Sequence, residues 1–347
     1  MQHRIIRGEG LRKNRRTLPR PDVTSELSLG IIFENREWLT PLFEALSRAG
    51  VPFEAIDVQD AAFDLRGSVR HPLYLNRVSP SSYIRGNGPA IRYAHALLTS
   101  LEGSGIRVAN GALSFQMETS KVRQQLLMDG LGVPTPRTIV FNNSQQVLQL
   151  AKKFPFPAIL KPDTGGSGAL IKKITSYSAL EALLAEENLF EVEELFLLQE
   201  FIESRDQSVI RTEFVDGELI FAMRVLPENT FNLCPADGCK RTPVDADKDG
   251  GRAAVRFELF EEIPEEAVAQ AREIVREARL DVGGVEYIET ADGRRVFYDI
   301  NATSVYREDI CRAAGVDAFG KLCGFLAREL AKETIKRSAG RAEGNGG

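Results

Sequence analysis

Residues 284–304 read GVEYIETADGRRVFYDINATS, and the reading of this stretch decides the fold. The apolar-leaning runs 285–288 and 296–300 flank Ala291-Asp292-Gly293, and an Asp-Gly pair between two such runs predicts a β-hairpin. Glu286 sits inside the first run, while Asp299 and Asn301, two residues apart, share one face of the second. A polar group buried without a partner costs about 2–7 kcal/mol, and a charge more. Three oxygen-bearing side chains on one strand pair therefore ask for a common partner. An all-oxygen set suits Mg²⁺ or Mn²⁺ and not zinc, with phosphates and water completing the shell. The alternative is a surface hairpin with a wet face; against it, Glu286 is flanked by Val285, Tyr287 and Ile288.

The chain has 347 residues, which suits two or three packed units, and 43% hydrophobic with 27% charged residues is ordinary composition for a globular core. A net charge of −5 argues against a nucleic-acid partner for the whole chain. Basic residues concentrate at the start, where Arg4, Arg7, Arg12, Lys13, Arg15, Arg16 and Arg20 oppose Glu9 alone. Residues 1–27 read as a solvated arm, since no apolar segment of a targeting peptide follows. No run reaches membrane-spanning length, so a cytoplasmic protein without a membrane partner is expected. Cys234 and Cys239 are the close cysteine pair, but the three histidines (His3, His71, His95) lie far upstream, which leaves a zinc half-site without partners. So few histidines also count against a Ser-His or Cys-His hydrolase.

Along the chain, LGIIF (29–33) predicts a strand and TPLFEALSRAG (40–50) a helix, with Thr40 as N-cap, Pro41 at the first position and Gly50 as the stop. VPFEAIDV (51–58) follows as a strand, so 29–58 is a βαβ unit and implies a parallel sheet. Strands at 73–77 and 106–110 and a helix after Pro89 complete an N-terminal α/β domain over 28–113. A helix from Ser120 then leads to strand, glycine turn and strand in FPAILKPDTGGSGALIKKI (156–174). A helix at 177–186, a strand at 195–202, a hairpin turned at Asp216-Gly217, a helix near 264–279 and the quoted hairpin follow. A last helix spans about 317–336, and 337–347 reads as an unfolded glycine-rich tail.

Two further motifs carry chemistry. In KPDTGGSG, Lys161 can neutralise a phosphate and Gly165, Gly166, Ser167 and Gly168 suit a flap whose amides approach phosphate oxygens. It is not a P-loop, and taken alone a ligand-free glycine turn explains it as well. In LLQEFIESRDQ, the strand exit at Gln199, Glu200, Phe201 and Ile202 offers groups for an adenine edge and Asp206 stands at ribose distance. Taken alone, it reads better as a core strand with a polar exit.

Together, NR (76–77), SKVRQQLLMDGLGVPTPRTI (120–139), FPAILKPDTGGSG (156–168), LLQEFIESRDQSVIRTEFVDGELIFAMR (197–224) and VEYIETADGRRVFYDIN (285–301) resemble the ATP-grasp superfamily of carboxylate–amine ligases. The resemblance covers about 29–330 and is nearest to the branch of ribosomal-protein glutamate ligases and peptide ligases. The 13-residue separation of Glu286 and Asp299 and the Asp-x-Asn ending match that family's pattern. It implies α/β plus α+β architecture: an ATP-grasp fold over 114–336, in subdomains of about 114–198 and 199–336, behind the N-terminal domain. It also implies ATP and two Mg²⁺ (or Mn²⁺) ions, the latter held by Glu286, Asp299 and Asn301. Lys121 and Lys161 would contact phosphates under the 165–168 flap, Gln199, Glu200 and Ile202 would line the adenine pocket, and Asp206 would meet the ribose. Arg211 and Arg224 would face phosphate or substrate carboxylate. The family's second metal acid is usually Glu where this chain has Asp299, and its Pro-Gly after the Asn is replaced by ATSVYRED, which offers Arg307 as a further substrate contact. The implied partners are a small-molecule or peptide carboxylate and an amine, joined through an acyl phosphate; a homo-oligomer is compatible with this reading. The rivals are an ATP-dependent phosphotransferase and a nucleotide-binding regulatory protein without turnover.

Overall fold

Alternation of apolar runs with an amphipathic helix builds a parallel sheet at the start of the chain. A computed structural model of the protein describes residues 27–67, 69–166, 168, 170–187, 189–191, 193–227 and 255–344. The basic arm up to residue 26, Ser167, the Cys234–Cys239 pair and residues 345–347 lie outside the described residues. β1 (Leu29–Phe33) is followed by α1 (Arg36–Arg48), β2 (Phe53–Asp57) and β3 (Leu73–Arg77). α2 (Pro89–Gly103) leads to β4 (Arg107–Ala109), and the sheet runs β2-β1-β3-β4 with every pairing parallel. α1 begins a turn earlier than Thr40 predicts. Asn35 caps it through Oδ1 to the Glu37 amide at 3.1 Å, and Pro41 lies inside. The missing Pro41 N–H forfeits one bond, whereas the added turn buries Leu39 beside Leu42 and Phe43.

α3 (Ala112–Glu118) and α4 (Lys121–Gly130) connect to a second sheet. Its strands are β5 (Thr138–Phe141), β6 (Ala158–Pro162), β7 (Lys172–Ile174) and β8 (Phe196–Glu200), with α5 (Ser144–Ala151) and α6 (Tyr177–Glu186) between them. The order β5-β8-β6-β7 is antiparallel throughout and covers a core of Phe141, Leu160, Leu180 and Phe196.

The third sheet contains β9 (Val209–Val215), β10 (Glu218–Pro227), β11 (Val255–Leu259), β12 (Val282–Glu289) and β13 (Arg295–Asn301), in the order β11-β10-β9-β12-β13. The β9–β10 turn forms as Asp216-Gly217 predicts, with positive φ at both residues. One face of this sheet packs Ile210, Phe214 and Tyr287 against α7 (Glu265–Glu277) and Met128 of α4. The other shares a core with β1, α1 and the last helix through Met223, Leu322 and Leu326. After the short α8 (Glu308–Ala313), α9 (Ala318–Gly344) continues past residue 336, where the sequence reading begins an unfolded tail. Glycine costs a helix only about 1 kcal/mol, so isolated glycines do not end it. No helix among the described residues is long and apolar enough to cross a membrane.

Candidate active site

Glu286 on β12 stands directly opposite Asp299 on β13, but the next pair is Tyr287 with Phe297, so Tyr298 is the extra residue of a β-bulge. The bulge turns Tyr298 toward the acids, and its hydroxyl donates to Glu286 Oε2 at 2.6 Å. Asp299 and Asn301 keep the common face expected of them. Asn301 Nδ2 lies 3.3 Å from Glu286 Oε1 and 3.3 Å from Asp299 Oδ2. Two cations close the cluster. Arg211 of β9 donates to Glu286 Oε1 at 2.9 Å and to Glu213 Oε1 at 2.6 Å, while Lys121, at the first position of α4, bonds Asp299 Oδ1.

Burial sets the electrostatics. Glu286 is 4% exposed, and its carboxyl is raised above the usual range by burial, with the Asp299 charge adding to this and Arg211 opposing it. Burial also works against the Lys121 ammonium, yet Asp299, Glu286 and Asp163 together hold it above its ordinary value. Lys161 is lowered to about 7 by burial and by the neighbouring Lys121 charge, against the pull of Asp299, Glu286 and Asp163. Burial, then Glu286, pushes the Tyr298 hydroxyl well up.

These groups line a cavity of about 780 Å³ between the second and third sheets. It brings together Lys121, Lys161, Gly165, Gly166, Gly168, Gln199, Glu200, Ile202, Arg211, Glu286, Asp299 and Asn301. The glycine segment lies against the first-sheet side of the molecule, where a Cβ at Gly166 would come within 3.0 Å of Ser81 Cβ. Gly168 adopts φ +71°, which disfavours a side chain there. Asp206, Arg224 and Arg307 are placed elsewhere than on the cavity lining. Asp206 accepts from Ser208 and pairs with Arg224, whose guanidinium stands 4.2 Å from the Phe260 ring centre. Arg307 makes a two-point contact with Asp309 at 3.0 and 2.9 Å and stacks on Phe257.

Several lining residues carry no motif in the sequence. Tyr298 depends on the bulge; Trp38 arrives from α1, and Ser79 and Ser81 from the segment after β3; Lys173 sits 3.7 Å from the Phe201 ring centre. Glu118, the last residue of α3, is another. Among the described residues no group of three or more His, Cys, Asp or Glu side chains could enclose a metal. What the site offers is two facing carboxylates and an amide, and the mutual repulsion of the acids favours a cation between them. That donor set fits Mg²⁺, which accepts one or two carboxylates when phosphates and water supply the remainder.

A family model described as the RimK-like ATP-grasp domain matches residues 118–326. The chain is 29% identical over 161 residues to the alpha-aminoadipate–LysW ligase LysX of Sulfolobus acidocaldarius, covering 45% of this chain and 58% of that protein. It is 28% identical over 252 residues to a probable alpha-L-glutamate ligase of Xanthomonas euvesicatoria, covering 72% and 76%. The chain thus spans less than two thirds of the LysX length. Among solved structures, the ATP-grasp ligase PsnB complexed with a phosphomimetic variant of its minimal precursor, Mg and ADP superposes with a TM-score of 0.61 at 19% identity. That match covers 89% of this chain and 99% of PsnB, and at this identity it speaks for the fold.

Proposed function

The chain belongs to the RimK-like ATP-grasp family, and on that premise we propose that it is an ATP-dependent carboxylate–amine ligase that releases ADP and phosphate. The observation that carries this reading is the meeting of Glu286, Asp299, Lys121 and Arg211 on one wall of a cavity that also holds Lys161 and the glycine segment. Gln199, Glu200 and Ile202 take the adenine, and the phosphates lie against Lys121 and Lys161 beneath Gly165, Gly166 and Gly168. Asp206 meets the ribose by exchanging its contact with Arg224. Glu286, Asp299 and Asn301 would hold Mg²⁺, two ions in this reading. When bound, they supply neutralisation of the phosphate charge.

In the first step a substrate carboxylate oxygen attacks the γ-phosphorus, the bond to the β-phosphate oxygen breaks, and ADP leaves an acyl phosphate. An amine then attacks the acyl carbon, loses a proton and expels inorganic phosphate. The protein's part is positioning and charge, which suits a site built without histidine. Arg211 faces the transferred phosphoryl group or the acid. Arg224 and Arg307 act on the acid substrate once freed from Asp206 and Asp309. Both substrates are small molecules or peptides, and the cytoplasm is the site of action in this reading. The test is an ADP-release screen of amino acids and peptides with Mg²⁺, followed by product analysis. An amide supports the proposal; a phosphorylated acid as the sole product overturns it.

A further inference from the structure

β13 is the edge strand of the third sheet, so the backbone running out of it lacks a neighbouring strand on one side. Side chains take that role. Gln124 of α4 brackets Ile300, accepting from its amide at 3.0 Å and donating to its carbonyl at 2.9 Å. Beyond Asn301, Glu118 Oε1 accepts from the amides of Ala302 at 3.1 Å and Thr303 at 2.8 Å, and from the Thr303 hydroxyl. The carbonyls are held from the first sheet. Asn110, just after β4, donates to Ala302 O at 2.8 Å, and Arg77, at the end of β3, reaches Ala302 O at 3.4 Å and Ser304 O. Glu118 is 4% exposed, Arg77 9% and Asn110 0%, so these bonds are shielded from water. The grip reaches the reacting cluster directly, since the Ser304 hydroxyl accepts from Arg211 Nη2 at 3.2 Å and Arg211 holds Glu286.

We propose that Glu118 and Arg77 are positioning residues for the acid cluster: they clamp the 302–304 backbone and so fix where Asn301 and Arg211 stand, making the first sheet part of the active-site geometry. This deepens the ligase reading and rests on it. A carboxylate and a guanidinium suit the task because each engages two backbone groups at once from opposite sides. The Arg77 charge also favours the ionised Glu118 carboxyl against the cost of its burial. Supports of this kind, one bond removed from a ligand, typically govern metal affinity or activity by about 10–100-fold.

The experiment compares full-length wild type with Glu118→Ala, Glu118→Gln and Thr303→Val, the last removing one hydroxyl donor from Glu118 without shortening the chain. Two quantities are read. One is the magnesium concentration for half-maximal binding of a non-hydrolysable ATP analogue; the other is hydrogen exchange of the peptide spanning 302–304. Glu118→Ala should raise the magnesium midpoint about 10–100-fold and speed exchange in that peptide. Glu118→Gln, which keeps an acceptor oxygen, should recover most of the loss, with Thr303→Val in between. If kcat falls as the midpoint rises while the KM for ATP at saturating magnesium stays put, positioning and not general stability is at work. A wild-type magnesium midpoint in Glu118→Ala, with or without faster exchange, overturns the inference. Should wild type bind no magnesium–nucleotide at all, the ligase reading fails, and exchange alone decides the clamp: loosening confined to 302–304 in Glu118→Ala upholds it, and unchanged exchange refutes it.

Discussion

Moving the pH from 7 to 9 should weaken nucleotide binding through a single buried amine. Lys161 is 4% exposed, and burial together with the Lys121 charge lowers its ammonium to about 7. A bound phosphate favours the charged form, so binding draws in a proton wherever the free protein has lost it. Affinity is then flat below about pH 7 and falls about tenfold for each unit above it, or roughly 1.4 kcal/mol per unit and about a hundredfold by pH 9. Stability moves the opposite way. The folded-state value lies below that of an unfolded lysine, about 10.4, so between the two the unfolded chain holds the extra proton and this residue's contribution to stability grows with pH. Calorimetric titration with a non-hydrolysable ATP analogue at fixed magnesium and ionic strength reads the first effect. Lys161→Arg, which stays charged throughout, is the control for titration of the nucleotide itself. A flat wild-type profile, or equal slopes in wild type and Lys161→Arg, would refute the assignment of Lys161 to the phosphates.

The other predictions concern the same cavity and the core beneath it. Glu286→Gln and Asp299→Asn should each abolish magnesium-dependent turnover while far-ultraviolet circular dichroism stays native; near wild-type activity at limiting magnesium in either would remove the metal assignment. Tyr287→Phe should raise stability by about 1 kcal/mol, because the buried Tyr287 hydroxyl has no hydrogen-bond partner among the described residues; a fall in denaturation midpoint would show that the hydroxyl is satisfied. Arg307→Lys keeps the charge but loses the fork, so it should raise the KM for the acid substrate more than that for ATP; equal or absent effects would leave Arg307 to Asp309.

The elements that were legible in the sequence are those whose signals are local. The Asp216-Gly217 turn, the βαβ unit at 29–58 and the acids on the β12–β13 pair all follow from side-chain periodicity and turn chemistry, and the structure places them accordingly. The start of α1 was not, because Asn35 and Thr40 are both competent caps and the burial of Leu39 decides between them. Tyr298 was hidden for a different reason: nothing in VFYDIN marks which residue the bulge will take, and without the bulge strict alternation sends Tyr298 away from Glu286. Glu118, Arg77 and Asn110 hold the 302–304 backbone across separations of 184 to 227 residues, which no spacing rule reaches. Asp206 and Arg224 look like separate ligands in sequence, and only the fold shows them satisfying each other.

The central claim, that a carboxylate is activated as an acyl phosphate in this cavity, is tested most directly by following an oxygen atom. With the acid–amine pair found by the ADP-release screen, the acid is supplied with heavy oxygen in its carboxylate and the released phosphate is analysed by mass spectrometry. The account predicts one labelled oxygen in phosphate for each amide formed, since the carboxylate oxygen that attacks the γ-phosphorus departs with it. Amide and ADP formed with unlabelled phosphate would contradict it.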